Sequence, residues 1–155
     1  MGFPNSTARL DIGRVVEARF SAQWTVDGSY RTVVQFPSVL GLIATDTTTV
    51  LNEPPTGASW IKLDIVDGET EAVCYGGTSG SNRAAGLIQL MVFSPRQAGD
   101  ATLFTLAGYA NAIFDRYHAG GLRCTASGIQ KIDPEKGWNR AIVRTPFEYY
   151  IEVTT

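Results

Sequence analysis

Residues 86–93 read Gly-Leu-Ile-Gln-Leu-Met-Val-Phe, a nearly continuous apolar run interrupted by one glutamine. A short run of this kind, with almost no polar positions, predicts a strand in the centre of a sheet. Ser94-Pro95 follows, and the proline is expected to stop the strand because it has no N–H for a ladder hydrogen bond. We therefore expect the chain to be built around a sheet that contains this strand.

The residues before this run predict two further strands and a turn. Residues 60–65, Trp-Ile-Lys-Leu-Asp-Ile, alternate between apolar and polar side chains, as in a strand with one buried face. Asp67-Gly68 is a strong hairpin-turn signal, so residues 71–75 are predicted to return as the partner strand. The glycine- and serine-rich residues 76–83 are predicted to form a flexible loop.

A first helix is predicted from about Ser6 to Trp24, where apolar residues recur near the helical period. Ser6 or Thr7 is expected to cap it. Its apolar positions are Leu10, Ile12, Val15, Val16, Phe20 and Trp24.

A second helix is predicted to open at Gly99-Asp100, with Asp100 as its cap, and to end at Gly120-Gly121. Its apolar stripe runs from residue 103 to residue 117. The stripe consists of Leu103, Leu106, Ala107, Ala110, Ile113, Phe114 and Tyr117.

The other segments are mostly extended. Residues 122–132 contain two short extended runs, and residues 138–153 predict an alternating, aromatic-rich strand interrupted at Pro146. Residues 30–36 also predict a strand, whereas the threonine-rich residues 41–51 fit either a strand or an extended arm.

The resulting order of elements is helix, strands, helix, strands. This order predicts an α+β fold, in which a mainly antiparallel sheet has two helices packed on one face. We find no linker or internal repeat, so residues 1–155 are predicted to form one domain.

The composition bears on several classes of partner. Thirteen Lys and Arg against 15 Asp and Glu give a net charge of −2 without a basic cluster, so we expect no direct recognition of nucleic acid. No apolar stretch reaches the length of about 18 residues that a membrane helix needs, and no signal peptide is recognised. We expect a reduced, intracellular chain.

A search for chemistry in the sequence predicts no catalytic, cofactor-binding or metal-binding residues. Cys74 and Cys124 lie far apart and lack zinc-site spacing; two buried free thiols are favoured over a disulfide, which stays open. His118 near Cys124 is the one arrangement that would suit a nucleophile, although an exposed histidine is the simpler interpretation. The carboxylates between Asp64 and Glu71 are interpreted as a solvated rim rather than a cation site or an acid–base pair.

Aromatic residues leave two interpretations open. Trp24, Trp60, Trp138 and the pair Tyr149-Tyr150 are typical of core or sheet packing, and an aromatic binding platform is the functional alternative.

Several of these segments together resemble the tail-terminator, or tail-completion, proteins of long-tailed bacteriophages. The resemblance covers about residues 6–23 and 58–153, and residues 24–57 fall outside it as a variable arm. The matching features are Trp60-Ile61-Lys62-Leu63, Arg83, the run 86–93 with Ser94-Pro95, Gly99 with the helix to Ala112-Ile113-Phe114, and Trp138 through Pro146-Phe147-Glu148-Tyr149-Tyr150.

The resemblance implies a structural virion protein that is assembled in the host cytoplasm. Six copies would form a ring at the head-proximal end of the tail tube, end tube polymerisation and offer a joint to the head-completion or connector protein. The implied partners are further copies of the chain, the tail-tube protein and the connector, while DNA would pass through the ring without being recognised. The family implies no enzyme activity and no cofactor.

We expect three loops, 37–57, 76–85 and 133–139, to make the contacts with partners, and Arg83 to pair with a carboxylate of a neighbouring subunit. The alternatives are another head–tail joint, a tail-tube subunit of related fold, or a small hydrolase that uses His118 or the acidic residues. The candidate contact residues are Thr45, Thr47, Thr49, Asn82, Arg83, Arg96, Lys136 and Trp138.

Overall fold

The computed structural model describes the backbone of residues 2–4, 6–76 and 79–154. Within these ranges the helices are α1 (Ala8–Trp24) and α2 (Gly99–Phe114), and a 3-10 turn at Arg96–Ala98 precedes α2. The strands are β1 (Phe3–Pro4), β2 (Thr25–Val26), β3 (Ser29–Tyr30), β4 (Val33–Gln35), β5 (Leu42–Ile43), β6 (Val50–Leu51), β7 (Trp60–Gly76), β8 (Ser79–Pro95), β9 (His118–Ala119), β10 (Leu122–Cys124), β11 (Gly128–Glu135) and β12 (Trp138–Thr154).

Three strands of 17 residues each, β7, β8 and β12, form the centre of the fold. β8 lies between the other two and is antiparallel to both. At a rise of about 3.3 Å per residue, each of these strands is roughly 55 Å long. Because β8 contains the apolar run 86–93, the prediction of a central strand is confirmed.

Shorter strands extend this ribbon on both sides. β4 pairs in parallel with β7, and β5 and β6 continue the sheet beyond it. The outer edge of β12 is shared by β11, β10 and β1 in succession, of which only β1 is parallel. With two helices and a mainly antiparallel sheet, the α+β prediction is confirmed.

The predicted hairpin turn at Asp67-Gly68 is wrong, because β7 continues through both residues. The pairing with β8 shifts register between Asp67 and Thr70, which marks a β-bulge. A Cβ on Gly68 would lie 2.9 Å from the carbonyl oxygen of Ala85. The glycine is therefore required by the close approach of β8 at a bulge, not by a turn.

The predicted flexible loop over 76–83 is also wrong. Gly76 pairs with Ser79, and residues 79–83 already belong to β8. The two residues between them, 77 and 78, lie outside the described residues. This polar, glycine-rich part of β8 is extended because β8 pairs with a strand on each side. The tertiary pairing overrides the preference of these residues for turns and loops.

Pro146 does not interrupt β12, which runs unbroken from Trp138 to Thr154. Pro146 pairs with Leu87 of β8, and its carbonyl oxygen accepts the Thr125 N–H on the opposite side. Because the N–H and C=O of one strand residue point to the same side, the missing N–H faces the gap between β10 and β11. The proline therefore costs no ladder bond with β8.

α1 buries one residue in every four. These residues are Ala8, Ile12, Val16, Phe20 and Trp24. Leu10 was predicted for this stripe but is 56% exposed, since it lies two positions, or about 200°, from Ile12. Thr7 occupies the N-cap position without capping through its side chain; its hydroxyl donates to Asp11 instead.

α2 ends at Phe114, earlier than the predicted end at Gly120-Gly121. The Arg19 guanidinium of α1 donates to the carbonyl oxygen of Ile113 at 3.1 and 3.2 Å, which satisfies one of the free carbonyls of the last turn. Asp100 lies within the first turn, where it binds Lys131 rather than capping the helix.

Both helices pack on the same face of the sheet. The core joins their buried residues to alternate residues of the three long strands, for example Leu63, Leu90 and Val143 in one cross-strand row. We call this the covered face. The other side of β7, β8 and β12, which carries Lys62, Met91 and their neighbours, is called the uncovered face because neither helix packs on it.

Residues 24–57 form short strands rather than a long arm. β2 and β3 make a separate two-stranded hairpin, and β5 and β6 make a second hairpin at one edge of the main sheet. In the described part of the chain, no helix combines the length and apolar character needed to cross a membrane.

Candidate interaction surfaces

The predicted contact residues fall in three separate places. Arg96, Lys136 and Trp138 come together at one end of the sheet, where the Arg96 N–H donates to the Gly137 carbonyl at 3.2 Å. The three threonines lie at the β5–β6 hairpin. Asn82 and Arg83 lie in β8, towards the other end of the ribbon.

The β5–β6 turn, which carries Thr45, Thr47 and Thr49, is held by Asp46. The carboxylate accepts the N–H groups of Thr48 and Thr49 at 2.9 and 2.8 Å and also the Thr49 hydroxyl. These bonds, of which the Thr49 hydroxyl contributes most, lower the pKa of Asp46 to about 2. Thr47 adopts a φ of 72°, an unusual backbone conformation for a β-branched residue.

Arg83 forms its ion pairs within its own chain. Its guanidinium contacts Glu71 of β7 and lies 3.8 Å from Glu148 of β12. Arg123 of β10 lies 3.9 Å from the same Glu148. These four residues form a charged ladder across the uncovered face. Arg83 is therefore engaged within the chain, and its pairing with a neighbouring subunit stays a prediction.

A groove on the uncovered face brings two of the three tryptophans together. Trp60 stacks on its cross-strand partner Phe93, with ring centroids 3.9 Å apart and planes 3° apart. Trp138 meets Trp60 edge-on at 6.2 Å. Trp24, in contrast, is fully buried in the core. Core packing is therefore confirmed for Trp24, whereas a binding platform at Trp60 and Trp138 stays a prediction.

This tryptophan groove has a volume of about 420 Å³, and its lining also includes Lys62, Lys136 and Arg140. Arg140 pairs with the carboxylate of Glu135 at 2.7 Å. Among the described residues, no carboxylate pairs with Lys62 or Lys136. The Trp60 Nε1–H is enclosed and has no acceptor there.

Sequence reasoning included Lys136 and Trp138 among the contact residues and Trp60 in a possible aromatic platform, but it missed Phe93, Lys62 and Arg140. Strand alternation places Trp60 and Lys62 on one face, and that signal was present in residues 60–65. The neighbours across the strands depend on register, which the sequence does not reveal.

The hydrolase alternative finds little support at Cys124. The thiol is 1% exposed, and burial raises its pKa to about 12. It is therefore protonated at neutral pH, whereas a nucleophilic cysteine must be a thiolate. His118 was predicted near the end of the second helix. It lies instead on β9, beyond that helix, and its side chain is exposed.

The acidic residues between Asp64 and Glu71 are spread along β7 rather than gathered at a turn. Asp67 pairs with Arg9 at 2.7 Å, and Asp64 accepts the N–H of Ile65. In the described ranges, no three His, Cys, Asp or Glu side chains gather closely enough to hold a metal ion. The side chain of Cys74 lies outside the described residues, so its pairing with Cys124 stays open.

No protein-family model matches the chain, and a search of curated proteins finds no match.

Proposed function

We propose that this protein is a tail-terminator subunit of a long-tailed bacteriophage. Six copies form a ring at the head-proximal end of the tail tube, stop tube polymerisation and receive the head-completion protein. The proposal rests on one structural observation in particular: three 17-residue strands have one face covered by both helices and a second face that neither helix covers.

A closed ring requires each subunit to offer two different surfaces, one to each neighbour. The charged ladder on the uncovered face and the β5–β6 hairpin at the edge of the sheet are two such surfaces at different places. The ladder is a row of ion pairs and the hairpin carries Thr45, Thr47 and Thr49, so the two surfaces differ in chemistry. This asymmetry favours head-to-tail association over a two-fold dimer in which a patch meets itself.

The family resemblance supports the proposal independently of this geometry. It relies on residues 86–95, on α2 and on the closing segment 138–150, and these residues form the centre of the fold together with β7. The part that lies outside the resemblance, 24–57, forms short hairpins at one edge. A centre that resembles the family and an edge that does not suit a subunit whose ring wall is shared and whose edge contacts are its own.

The first experiment is the native mass of the purified protein, with negative-stain images of the same sample. Six copies of the 16.8 kDa chain weigh about 101 kDa, which is the expected mass of the ring. Open-ended tubes would instead favour a tail-tube subunit, the main alternative.

A monomer requires a second measurement, in which the protein is added to growing tail tubes. Tubes that stop growing and carry an added density at one end would support the terminator function without a preformed ring. A monomer that leaves tube length unchanged would contradict the proposal.

A further inference from the structure

The tryptophan groove concentrates residue types that are scarce in this chain. Two of the three tryptophans and two of the three lysines line it, together with Phe93 and Arg140. From this combination we infer that the groove binds an extended, acidic segment of a partner protein. The inference goes beyond ring formation, because the groove belongs to a single subunit and does not need a neighbour to complete it.

Charge is the first reason for an acidic occupant. Of the three cations in the lining, Arg140 is engaged by Glu135, while the two lysines have no ion-pair partner among the described residues. A carboxylate that enters the groove therefore meets two free ammonium groups beside an apolar wall. Both lysines are exposed, so this attraction is screened by salt and relies on the two charges acting together.

The aromatic lining is the second reason, and it favours a peptide. The stacked Trp60–Phe93 pair and the edge of Trp138 make flat apolar walls of the kind that bind proline-rich and other extended segments.

A single-stranded nucleic acid fits the same surface less well. Such a ligand needs cations that follow successive phosphates and open aromatic faces on which bases stack. Here one face of Trp60 is already covered by Phe93, Glu135 lies among the lining residues, and only two cations are free. The groove thus favours a short acidic segment over a phosphate backbone.

The test uses the full-length protein and follows its three indole N–H signals by NMR during titration. The probes are a synthetic peptide of alternating glutamate and proline, its lysine–proline counterpart and oligothymidylate. Trp24 serves as the internal reference, because its indole donates to Thr32 inside the core. We expect the glutamate peptide to shift the Trp60 and Trp138 signals and to leave Trp24 unchanged.

Charge-reversal variants make the test specific. Lys62→Glu and Lys136→Glu are each expected to weaken the glutamate peptide's binding by about tenfold or more, since each replaces an attraction with a repulsion. Lys131→Glu is the matched control. This third lysine pairs with Asp100 in the first turn of α2, away from the groove, so its effect on peptide binding should stay below about twofold.

Three outcomes would overturn the inference. The first is the absence of any indole shift, and the second is an equal or larger shift with the lysine peptide or with oligothymidylate. The third is a change in native mass for Lys136→Glu without loss of peptide binding, which would assign the groove to contact between copies. Because peptide binding is measured on the subunit itself, a failed ring assay leaves this result interpretable.

Discussion

The two faces of β7, β8 and β12 differ in how their side chains are buried. In one cross-strand row, Leu63, Leu90 and Val143 are each 1% exposed beneath the helices. In the next row, on the opposite face, Lys62 is exposed while Ile142 is only 4% exposed, without a helix above it. Neighbouring strands and long side chains can therefore bury apolar residues on an uncovered face. The covered face holds the fold together, whereas the uncovered face combines buried aromatic area with charge and packs against neither helix.

The largest contrast between the two faces is expected at adjacent residues of β8. Leu90→Ala leaves a cavity under the helices and should lower the free energy of unfolding by about 2–5 kcal/mol. Met91→Ala removes a half-buried side chain from the uncovered face and should cost about 1 kcal/mol. Urea denaturation of both variants measures the difference; equal losses would mean that the two faces are packed alike.

Gly86→Ala tests how tightly the covered face is built. A Cβ at this position would lie 2.6 Å from the Phe147 ring and 2.9 Å from the Val66 carbonyl oxygen. Such overpacking should lower the free energy of unfolding by about 1–3 kcal/mol. Gly108→Ala is the matched control, because that helical glycine has open space around it and alanine should stabilise α2 by about 1 kcal/mol. Similar losses in both variants would contradict the tight packing at Gly86.

Cys124 provides a pH test of the covered face. Burial raises the pKa of the Cys124 thiol from 9.0 to about 12 on folding. Because the unfolded chain then loses this proton at a lower pH than the folded chain, the thiol's contribution to stability is complete below pH 9 and is lost as pH rises towards 12. Above pH 9 the loss should approach about 1.4 kcal/mol per pH unit.

The measurement compares denaturation midpoints between pH 8 and pH 10.5 in a Cys74→Ser background, with and without Cys124→Ala. The stability difference between these two proteins should change above pH 9. A difference that stays constant across this range would show that the Cys124 thiol is open to solvent.

The smallest effect is expected at the charged ladder. Arg83 and Glu71 have half-exposed side chains, so Arg83→Gln should lower the free energy of unfolding by less than about 1 kcal/mol and less again in high salt. A double-mutant cycle with Glu71→Gln isolates the pair. A coupling above about 2 kcal/mol that is insensitive to salt would make the ladder part of the structural core.

Local patterns were sufficient to predict the central strand and both helices, because burial imposes a period that is visible in residues 86–93 and along α1. They failed at Asp67-Gly68, at 76–83 and at Pro146, where residues that usually end strands lie within long ones. Neighbouring strands explain each case. Asp67-Gly68 lies at a bulge against β8, and residues 79–83 of β8 are paired on both sides. Pro146 faces the gap between β10 and β11, where no strand needs its missing N–H.

The sequence alone predicted less of the candidate surfaces than of the fold. Trp138 was identified as a contact residue, but its approach to Trp60 depends on both strands pairing with β8 in one register. Arg83 was identified as well, yet its partners Glu71 and Glu148 lie 12 and 65 positions away and come near only through the sheet. Long-range register, not residue type, limits what can be predicted here.

The way β12 is paired also bears on how the chain folds. β12 alone joins β8 to β11, β10 and β1, and Gly2 donates a hydrogen bond to Glu152 across 150 positions of sequence. Contacts of such long range cannot form early, since closing large loops precedes any gain from them. The sheet should therefore form late and in one cooperative step, and a nascent subunit lacks a finished ribbon to offer to partners until residues 138–154 have been synthesised.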